Sequence, residues 1–279
     1  LKELVDRTGA DGGHAELEIG EIEPRRFLVN VTRLPDSSGV LVVFVDVTDL
    51  RRLETIRKDF VANVSHELRT PVASIRSAAE TLRTSLSSDP ASAAIFLEMI
   101  ERNAERMGQL VEDLLDLSKL EAKKYLISLE SLNLAGEVDR VVSSLSPMAA
   151  EKEIRVTNKV APVLKIVADR RALEQVLTNL VDNAIKYSSI RSSVNVSAEA
   201  EAGKLRVVVS DTGPGIEQRH IPRLFERFYR IDAGRSRELG GTGLGLSIVK
   251  HLIEAMGGSV AVESIPGRGT TFSFTLPAA

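Results

Sequence analysis

A histidine, a carboxylate and a hydroxyl lie within about one helical turn in the segment VSHELRTP. The neutral imidazole of His66 is a nucleophile, and Glu67 beside it could take or orient the ring proton as a bond to the ring nitrogen forms. Thr70 shares a helical face with His66 and could hold a water, while Pro71 should kink the helix. The spacing of its apolar neighbours places His66 on the opposite side of the helix from them. An ordinary exposed helical histidine is the alternative.

The segment LTNLVDNAIKYS sets two amides and a lysine on one helical face. Asn179 and Asn183 are four residues apart, and Lys186 and Tyr187 continue their face one turn on. An amide oxygen can bind Mg²⁺, which keeps several waters and shares phosphate oxygens. A lysine ammonium binds phosphate as a point charge. A merely polar helix face is the alternative explanation.

The segment SDTGPGI follows a predicted strand. Gly213 and Gly215 permit backbone conformations and close approaches to a ligand that other residues forbid. Asp211 would repel phosphate, so it is better suited to accept a hydrogen bond from an exocyclic amine such as that of adenine. A plain turn is the alternative.

The segment GGTGLGLSIVKHL leads four glycines directly into an apolar helix, whose first N–H groups could bind phosphates. It matches neither the Walker nor the dinucleotide pattern. Upstream, four arginines in a polar loop could reach a terminal phosphate, or could simply be solvated. The glycines are Gly240, Gly241, Gly243 and Gly245, and the arginines are Arg227, Arg230, Arg235 and Arg237.

The composition excludes several classes of function. With 36 basic and 39 acidic residues the net charge is −3, which gives no reason to expect a nucleic-acid surface. The absence of cysteine excludes disulfides, thiolate zinc sites and cysteine nucleophiles. His14, His220 and His251 lack partners at metal-ligand spacing, so we expect them to be structural or surface residues.

Membrane attachment is left open by the sequence. No apolar run approaches the roughly 20 residues that a membrane helix needs. Because the chain begins with Leu1, we interpret it as a fragment of a longer protein. We expect this fragment to be the cytoplasmic portion of that protein. That parent protein could be anchored in the inner membrane.

Apolar residues spaced by three or four run without a break over 53–86 and predict one long helix. Asp89 could cap a second helix and Pro90 could open it, with its own stripe over 96–117. Two long helices joined by a short turn predict an antiparallel helical hairpin. Because a lone hairpin leaves its stripe half covered, we predict a homodimer that forms a four-helix bundle.

The N-terminal segment is rich in β-branched residues. RRFLVNVTRL and GVLVVFVDVT flank the turn-like PDSSG and predict a hairpin.

From about Glu130 a mixed pattern of helices and strands predicts an α+β layer domain. The stretch 215–241 is long for a connection, which favours a functional or mobile segment. The helices predicted here are Leu134–Glu151, Arg170–Tyr187 and Leu244–Met256. The strands are Ile154–Asn158, Val194–Ala198, Leu205–Ser210, Ser259–Glu263 and Thr271–Leu276.

In their order, the motifs resemble those of a bacterial sensor histidine kinase of the phosphate-sensor type, over about residues 50–279. FVANVSHELRTPVASI is similar to the H box of the dimerisation and phosphotransfer domain, and NLVDNAIKYS to the N box. DTGPGI, LFERFYRID and GGTGLGLSIVK are similar to the G1, F and G2 boxes of the Bergerat-type ATP-binding domain. Residues 1–48 are similar, more weakly, to the C-terminal strands of a PAS sensor domain.

The resemblance implies a multidomain protein. Residues 1–48 would be a partial PAS-like β segment, 49–127 the dimerisation and histidine phosphotransfer domain, and 128–279 an α/β-sandwich catalytic domain that binds ATP and Mg²⁺. The implied function is ATP-dependent autophosphorylation of a histidine, followed by phosphotransfer to an aspartate on the receiver domain of a response regulator. Phosphatase activity on the phosphorylated regulator is implied as well.

The resemblance also implies roles for individual residues. His66 would be phosphorylated, Glu67 would be the base and Thr70 would support the phosphatase reaction. Asn183 would hold Mg²⁺, with Asn179 nearby. The implied nucleotide contacts are Lys186 at a phosphate, Tyr187 by the nucleotide, Asp211 at adenine with Gly213, Gly215 and Ile216 beside it, Arg230 at the terminal phosphate, and Gly241, Thr242, Gly243, Leu244 and Gly245 along the phosphates.

Two other functions remain open from the sequence. A chaperone-like or mismatch-repair-like ATPase clamp would share the ATP fold, but the HELRTP segment and the helical hairpin argue against it. A catalytically silent dimeric scaffold would signal by binding alone, and the intact Asn183, Asp211 and glycines argue against that. Phosphorylation within one protomer or across the dimer is not decided.

Overall fold

The structure is a computed structural model that describes residues 13–20, 24–34, 39–85, 90–122, 124–201, 203–232 and 241–279. Most of the predicted turn at 35–39 lies outside these residues. So do the predicted cap Asp89 and, in the glycine-rich and arginine-rich segments, Gly240, Arg235 and Arg237. Contacts divide the chain into two compact units, residues 1–66 and 67–279.

The first unit contains a three-stranded antiparallel sheet in the order β1-β2-β3. The predicted hairpin is confirmed as strands β2 (Arg25–Arg33) and β3 (Val40–Asp46). Strand β1 (Gly13–Ile19) was not predicted, although its GHAELEI sequence alternates in burial as a half-covered strand should. Likeness of this sheet to a PAS domain stays a prediction.

Two long helices follow, as predicted. Helix α1 (Thr48–Ser85) begins where Asp46 accepts a 3.0 Å hydrogen bond from the backbone N–H of Thr48. The helix continues through Pro71. Helix α2 (Pro90–Glu121) begins at the predicted proline, whose fixed φ suits a first helical position. No helix in the described part of the chain is long and apolar enough to cross a membrane.

The rest of the second unit is an α/β sandwich. Its five-stranded sheet has the order β5-β7-β8-β10-β9, in which β5 and β7 are parallel and the other pairs antiparallel. A separate two-stranded sheet, β4-β6, was not predicted. The strands are β4 (Glu130–Asn133), β5 (Arg155–Asn158), β6 (Lys165–Ala168), β7 (Ser193–Glu201), β8 (Lys204–Asp211), β9 (Ser259–Ile265) and β10 (Gly269–Pro277).

Three helices pack on the five-stranded sheet and position the candidate site. Helices α3 (Leu134–Glu151) and α4 (Arg170–Tyr187) have the predicted bounds, and α5 (Gly245–Ala255) is one residue shorter at each end. Buried leucines, valines and isoleucines of α4 and α5 meet alternate buried residues of β7, β8 and β10. This core fixes the opposite, polar face of α4 toward a cavity.

Candidate functional site

A cavity of about 680 Å³ lies beside helix α4, the end of strand β8, the segment 214–232 and the start of helix α5. Its volume is typical of a small-molecule site. Gly213 and Leu244, although predicted to take part, do not line it. The other predicted nucleotide residues do: Asn179, Asn183, Lys186, Tyr187, Asp211, Gly215, Ile216, Arg230, Gly241, Thr242, Gly243 and Gly245.

One wall of the cavity is the polar face of α4. Asp169 caps this helix by accepting a 3.0 Å hydrogen bond from the N–H of Ala172. The i, i+4 spacing then places Asn179 and Asn183 on the same cavity wall. Lys186 also lines the cavity and pairs with Asp182 at 2.7 Å, a carboxylate that was not singled out from the sequence. The wall therefore offers amide oxygens beside a paired ammonium group.

Asp211 forms a second wall, at the end of β8. Its Oδ1 accepts hydrogen bonds from the backbone N–H groups of Gly213 at 2.7 Å and Thr270 at 3.3 Å. Burial raises the pKa of this carboxyl, and the two hydrogen bonds lower it in part. Both of these contacts within the described residues reach Oδ1, which leaves Oδ2 for a donor on a ligand. Thr270 was missed because nothing in its strand pattern marks it.

Gly213 is required behind Asp211 although it does not touch the cavity. A Cβ there would lie 2.7 Å from Asp211 Oδ1 and 3.3 Å from Cα of Ser188. Any side chain would therefore displace the Asp211 carboxylate or the backbone of Ser188 at the end of α4. This glycine acts by close packing, whereas the sequence assigned it a place near the ligand.

The glycine-rich segment leads into α5. A Cβ on Gly245 would lie 2.4 Å from Oδ1 of Asn179, so a side chain there would displace the Asn179 amide from the start of α5. Gly243 has φ +76°, and its Cβ would lie 2.9 Å from Cα of Phe228. Leu244 is the N-terminal cap residue and is fully buried in the core. The start of α5 supplies backbone N–H groups of the kind that bind phosphate.

Phe228 holds an uncommon backbone conformation beside this loop. Its φ is +61°, in the left-handed region, which costs a non-glycine residue about 1–3 kcal/mol. Its backbone N–H donates a 2.8 Å hydrogen bond to the carbonyl of Gly243. The segment containing the predicted phosphate contact Arg230 is thereby tied to the glycine loop.

The structure brings Glu67 and Arg230 together, although the sequence assigned them separate roles. The Arg230 guanidinium donates to both carboxylate oxygens of Glu67, at 3.0 and 3.3 Å. Arg106 on α2 adds a third contact to Glu67 at 3.3 Å. The Arg230 side chain is only 6% exposed. In this arrangement the predicted base and the predicted phosphate contact neutralise each other.

Asp113 on α2 joins the cavity from a helix where no nucleotide residue was predicted. Its carboxylate accepts hydrogen bonds from the Thr242 hydroxyl at 2.7 Å and from Gln109 at 2.9 Å. Burial raises the pKa of Asp113, and these hydrogen bonds lower it in part. Its spacing of three from Leu110 and four from Leu117, both buried, could have marked it as an inward-facing residue.

The remaining predicted residues lie on exposed helix surface. His66, in the first unit, and Thr70, in the second, are both exposed on α1. His251 binds the backbone carbonyl of Ser247 at 2.8 Å, in keeping with a structural role. Within the described ranges no group of three histidine or acidic side chains is arranged to hold a metal ion.

Two protein-family models match this chain. Residues 56–123 match the His Kinase A (phospho-acceptor) domain, and residues 168–279 match the histidine kinase-, DNA gyrase B- and HSP90-like ATPase. Together they cover more than half of the chain. The first contains His66, and the second contains most of the cavity wall. The matches lie inside the predicted domains 49–127 and 128–279, whose boundaries stay predictions.

Relatives and solved structures agree with these matches. The chain is 38% identical over 276 residues to the sensor-like histidine kinase SenX3 of Mycobacterium tuberculosis, covering 97% of this chain and 63% of that protein. Full-length ShkA in complex with AMPPNP superposes with a TM-score of 0.60 at 32% identity, covering 79% of this chain and 46% of that one. The histidine kinase ThkA in complex with the response regulator TrrA shares the fold, with a TM-score of 0.65 at 24% identity over 95% of this chain and 79% of that one. The chain spans about 39% to 63% of the length of its first curated relatives.

Proposed function

Because the chain belongs to the sensor histidine kinases, we propose that it transfers the terminal phosphoryl group of ATP to His66 and then to an aspartate of a response regulator. The observation that carries the proposal is the cavity, since twelve residues predicted to bind nucleotide line one space. The test is incubation with γ-labelled ATP and Mg²⁺. We expect label that is stable to base and labile to acid. Tight ATP binding without such label would overturn the proposal in favour of a silent scaffold.

The nucleotide is proposed to bind with its base at Asp211. The free Oδ2 would accept a hydrogen bond from the adenine amine, whereas the carbonyl of a guanine would meet a carboxylate. The phosphates would lie toward Gly241 and Gly243 at the start of α5, where backbone N–H groups favour anions. Lys186 adds a positive charge on the same wall. This orientation leads the terminal phosphate toward Arg230.

Mg²⁺ is proposed to accompany the nucleotide at Asn183. The residues present fit this ion, because a single amide oxygen on the cavity wall can complete a shell otherwise made of water and phosphate oxygens. When bound, Mg²⁺ neutralises phosphate charge. Asn179 is held by a 3.0 Å hydrogen bond from its amide to the carbonyl of Gln175, which leaves its oxygen toward the start of α5.

The transfer itself is proposed to need the Glu67–Arg230 pair to open. A ring nitrogen of His66 would attack the terminal phosphorus, the bond from phosphorus to the bridging oxygen would break, and ADP would leave. Glu67 would take the proton from the imidazole ring. Arg230 would stabilise the charge on the transferred group, since phosphoryl transfer depends mainly on positioning and charge neutralisation. ATP and receiver domains both occur in the cytoplasm, so this core is proposed to act there.

A homodimer is proposed from the apolar residues that one chain leaves uncovered on α2. Phe96, Ile100 and Met107 of the predicted stripe stay half-exposed. Val111 is 44% exposed and Leu115 is 55% exposed, one turn apart on the same face. A second hairpin would cover this surface in a four-helix bundle.

Replacing Leu115 with glutamate is expected to turn the dimer into a monomer. The leucine is exposed within one chain, so the monomer fold should tolerate the charge, whereas a dimer seam should not. Sedimentation equilibrium measures the mass. The matched control is Val163→Glu, at a position 82% exposed outside the hairpin, which should stay dimeric. A wild-type monomer, or a dimer of the Leu115 variant, would refute this interface.

Phosphatase activity is proposed for Thr70, whose hydroxyl would hold the water that attacks the phosphoaspartate of the regulator. Thr70→Ala is expected to slow loss of phosphate from the regulator by about 10²-fold, because the water loses its positioning partner. The measurement is the decay of purified phosphorylated regulator with the kinase added. Thr81→Ala, on the same helix, is the control. Equal decay rates for the two variants would remove Thr70 from this role.

A further inference from the structure

His220, expected from the sequence to be a structural or surface residue, contacts a residue of the cavity wall. Its Nδ1 forms a 2.6 Å hydrogen bond with the hydroxyl of Tyr229, one group donating and the other accepting according to the tautomer. The guanidinium of Arg223 lies over the Tyr229 ring, 4.2 Å from its centroid. Tyr229 lines the cavity next to Arg230 in the chain. The tyrosine is therefore held at its hydroxyl and on a ring face.

The bond from His220 to Tyr229 lies one residue from the strained turn at Phe228. A residue with φ +61° keeps this conformation only where its surroundings enforce it. On one side the backbone N–H of Phe228 is held by the carbonyl of Gly243 at 2.8 Å. On the other side the chain continues into Tyr229, which His220 holds. The turn that precedes Arg230 is therefore held on one side by Gly243 and on the other by His220.

Arg230 depends on that turn for its direction. Once Glu67 releases it for transfer, its long side chain would otherwise sample many rotamers, and ordering it has a large entropic cost. The side chain is 6% exposed, and its Nε is buried without a hydrogen-bond partner among the described residues. A buried donor of this kind calls for an acceptor such as a phosphate oxygen.

We propose that His220 is a positioning residue for phosphoryl transfer, which acts through Tyr229 to hold the turn at Phe228 and so aim Arg230 at the terminal phosphate of ATP. This rests on the proposed function, because it assigns Arg230 to that phosphate. It goes beyond that function by adding a residue, outside the cavity wall, on which the geometry of Arg230 depends. A histidine that merely stabilised the fold would affect every ligand and every step alike.

The experiment compares His220→Ala, His220→Asn, Tyr229→Phe and Arg230→Ala in the full chain. Affinities for ATP and ADP are measured by calorimetry, and the phosphorylation of His66 is measured in a single turnover at saturating ATP. His220→Ala and Tyr229→Phe should each lower the single-turnover rate by about 3- to 10-fold, the effect of one lost hydrogen bond. The double variant of these two should be no slower than either. His220→Asn should recover most of the rate, because an amide reaches the position of Nδ1.

Two readouts separate positioning from a structural role. ADP lacks the terminal phosphate, so ADP affinity should not change while ATP affinity falls. In an Arg230→Ala background the His220→Ala change should have no further effect, because the residue through which it acts is gone. A full additional loss in that background, or an equal loss of ADP affinity, would overturn the proposal. If the wild-type chain takes up no label, the proposed function fails, while the comparison of ATP with ADP still tests the link from His220 to Arg230.

Discussion

His66→Gln is expected to abolish uptake of acid-labile label from γ-labelled ATP, with ATP affinity unchanged. Glutamine keeps a polar side chain of similar size at this position, but it has no ring nitrogen that can form a bond to phosphorus. The position is exposed on α1, so the fold should tolerate the change. The two measurements are phosphoryl uptake after gel separation and ATP affinity by calorimetry.

The neighbouring carboxylate supplies the matched control for this result. Glu67→Gln removes the proposed base but keeps the acceptor, so label should still appear, at a rate lower by about 10²- to 10⁴-fold. If the His66→Gln variant takes up no label while the Glu67→Gln variant is labelled slowly but measurably, His66 is the acceptor and Glu67 is the base. Label of wild-type amount on the His66 variant would place the acceptor elsewhere.

Asn183→Ala is expected to remove the gain in ATP affinity that Mg²⁺ gives the wild-type protein, and to lower autophosphorylation by about 10²-fold or more. The amide oxygen is the proposed protein ligand of the ion, and alanine offers no oxygen in its place. ATP affinity is measured with Mg²⁺ and with a chelator present. In the variant the two values should coincide.

The control for this prediction removes a different asparagine amide, which lies on strand β7. Asn195 is half-buried in the sheet and does not line the cavity, so Asn195→Ala should keep the Mg²⁺ dependence of the wild type. A variant at Asn183 that still gains affinity with Mg²⁺ would show that the ion is held by other groups. The proposed metal contact would then be wrong even if the kinase assignment stood.

Much of the fold could be predicted because local signals agreed with tertiary packing. The bounds of α3 and α4 were predicted to the residue, and both helices begin directly after a side-chain cap, Asn133 and Asp169. Their apolar stripes then identified the buried face. Strands β1, β4 and β6 were missed, and β4 and β6, at four residues each, are too short for alternation to show.

The candidate site was predictable where one segment carries several contacts. Asn179, Asn183 and Lys186 share a helical face by spacing alone, so their common wall follows once α4 forms. The ion pair between Glu67 and Arg230 joins residues 163 positions apart and depends on how the helices and the catalytic sandwich pack. Thr270 and Asp113 likewise reach the cavity only through tertiary contacts. A single sequence does not show which residues meet in such contacts, although the helical spacing of Asp113 could mark it as inward-facing.

Glycines show the same division between local and long-range information. The sequence predicted that Gly243 and Gly245 lie by phosphates, from their place before a helix. Their close approaches to Phe228 and Asn179, which forbid a side chain, became visible only in the structure. The positive φ of Phe228 has no sequence signature at all, since the residue is neither glycine nor asparagine.

Locating the phosphoryl group on the protein tests directly whether His66 is the acceptor. The wild-type protein is incubated with ATP and Mg²⁺, digested under alkaline conditions and analysed by mass spectrometry with electron-based fragmentation, which retains the phosphorus–nitrogen bond. We predict one phosphorylated site, His66, which disappears when ATP is replaced by ADP. Phosphate on another residue, or no phosphopeptide from a protein that binds ATP, would contradict it.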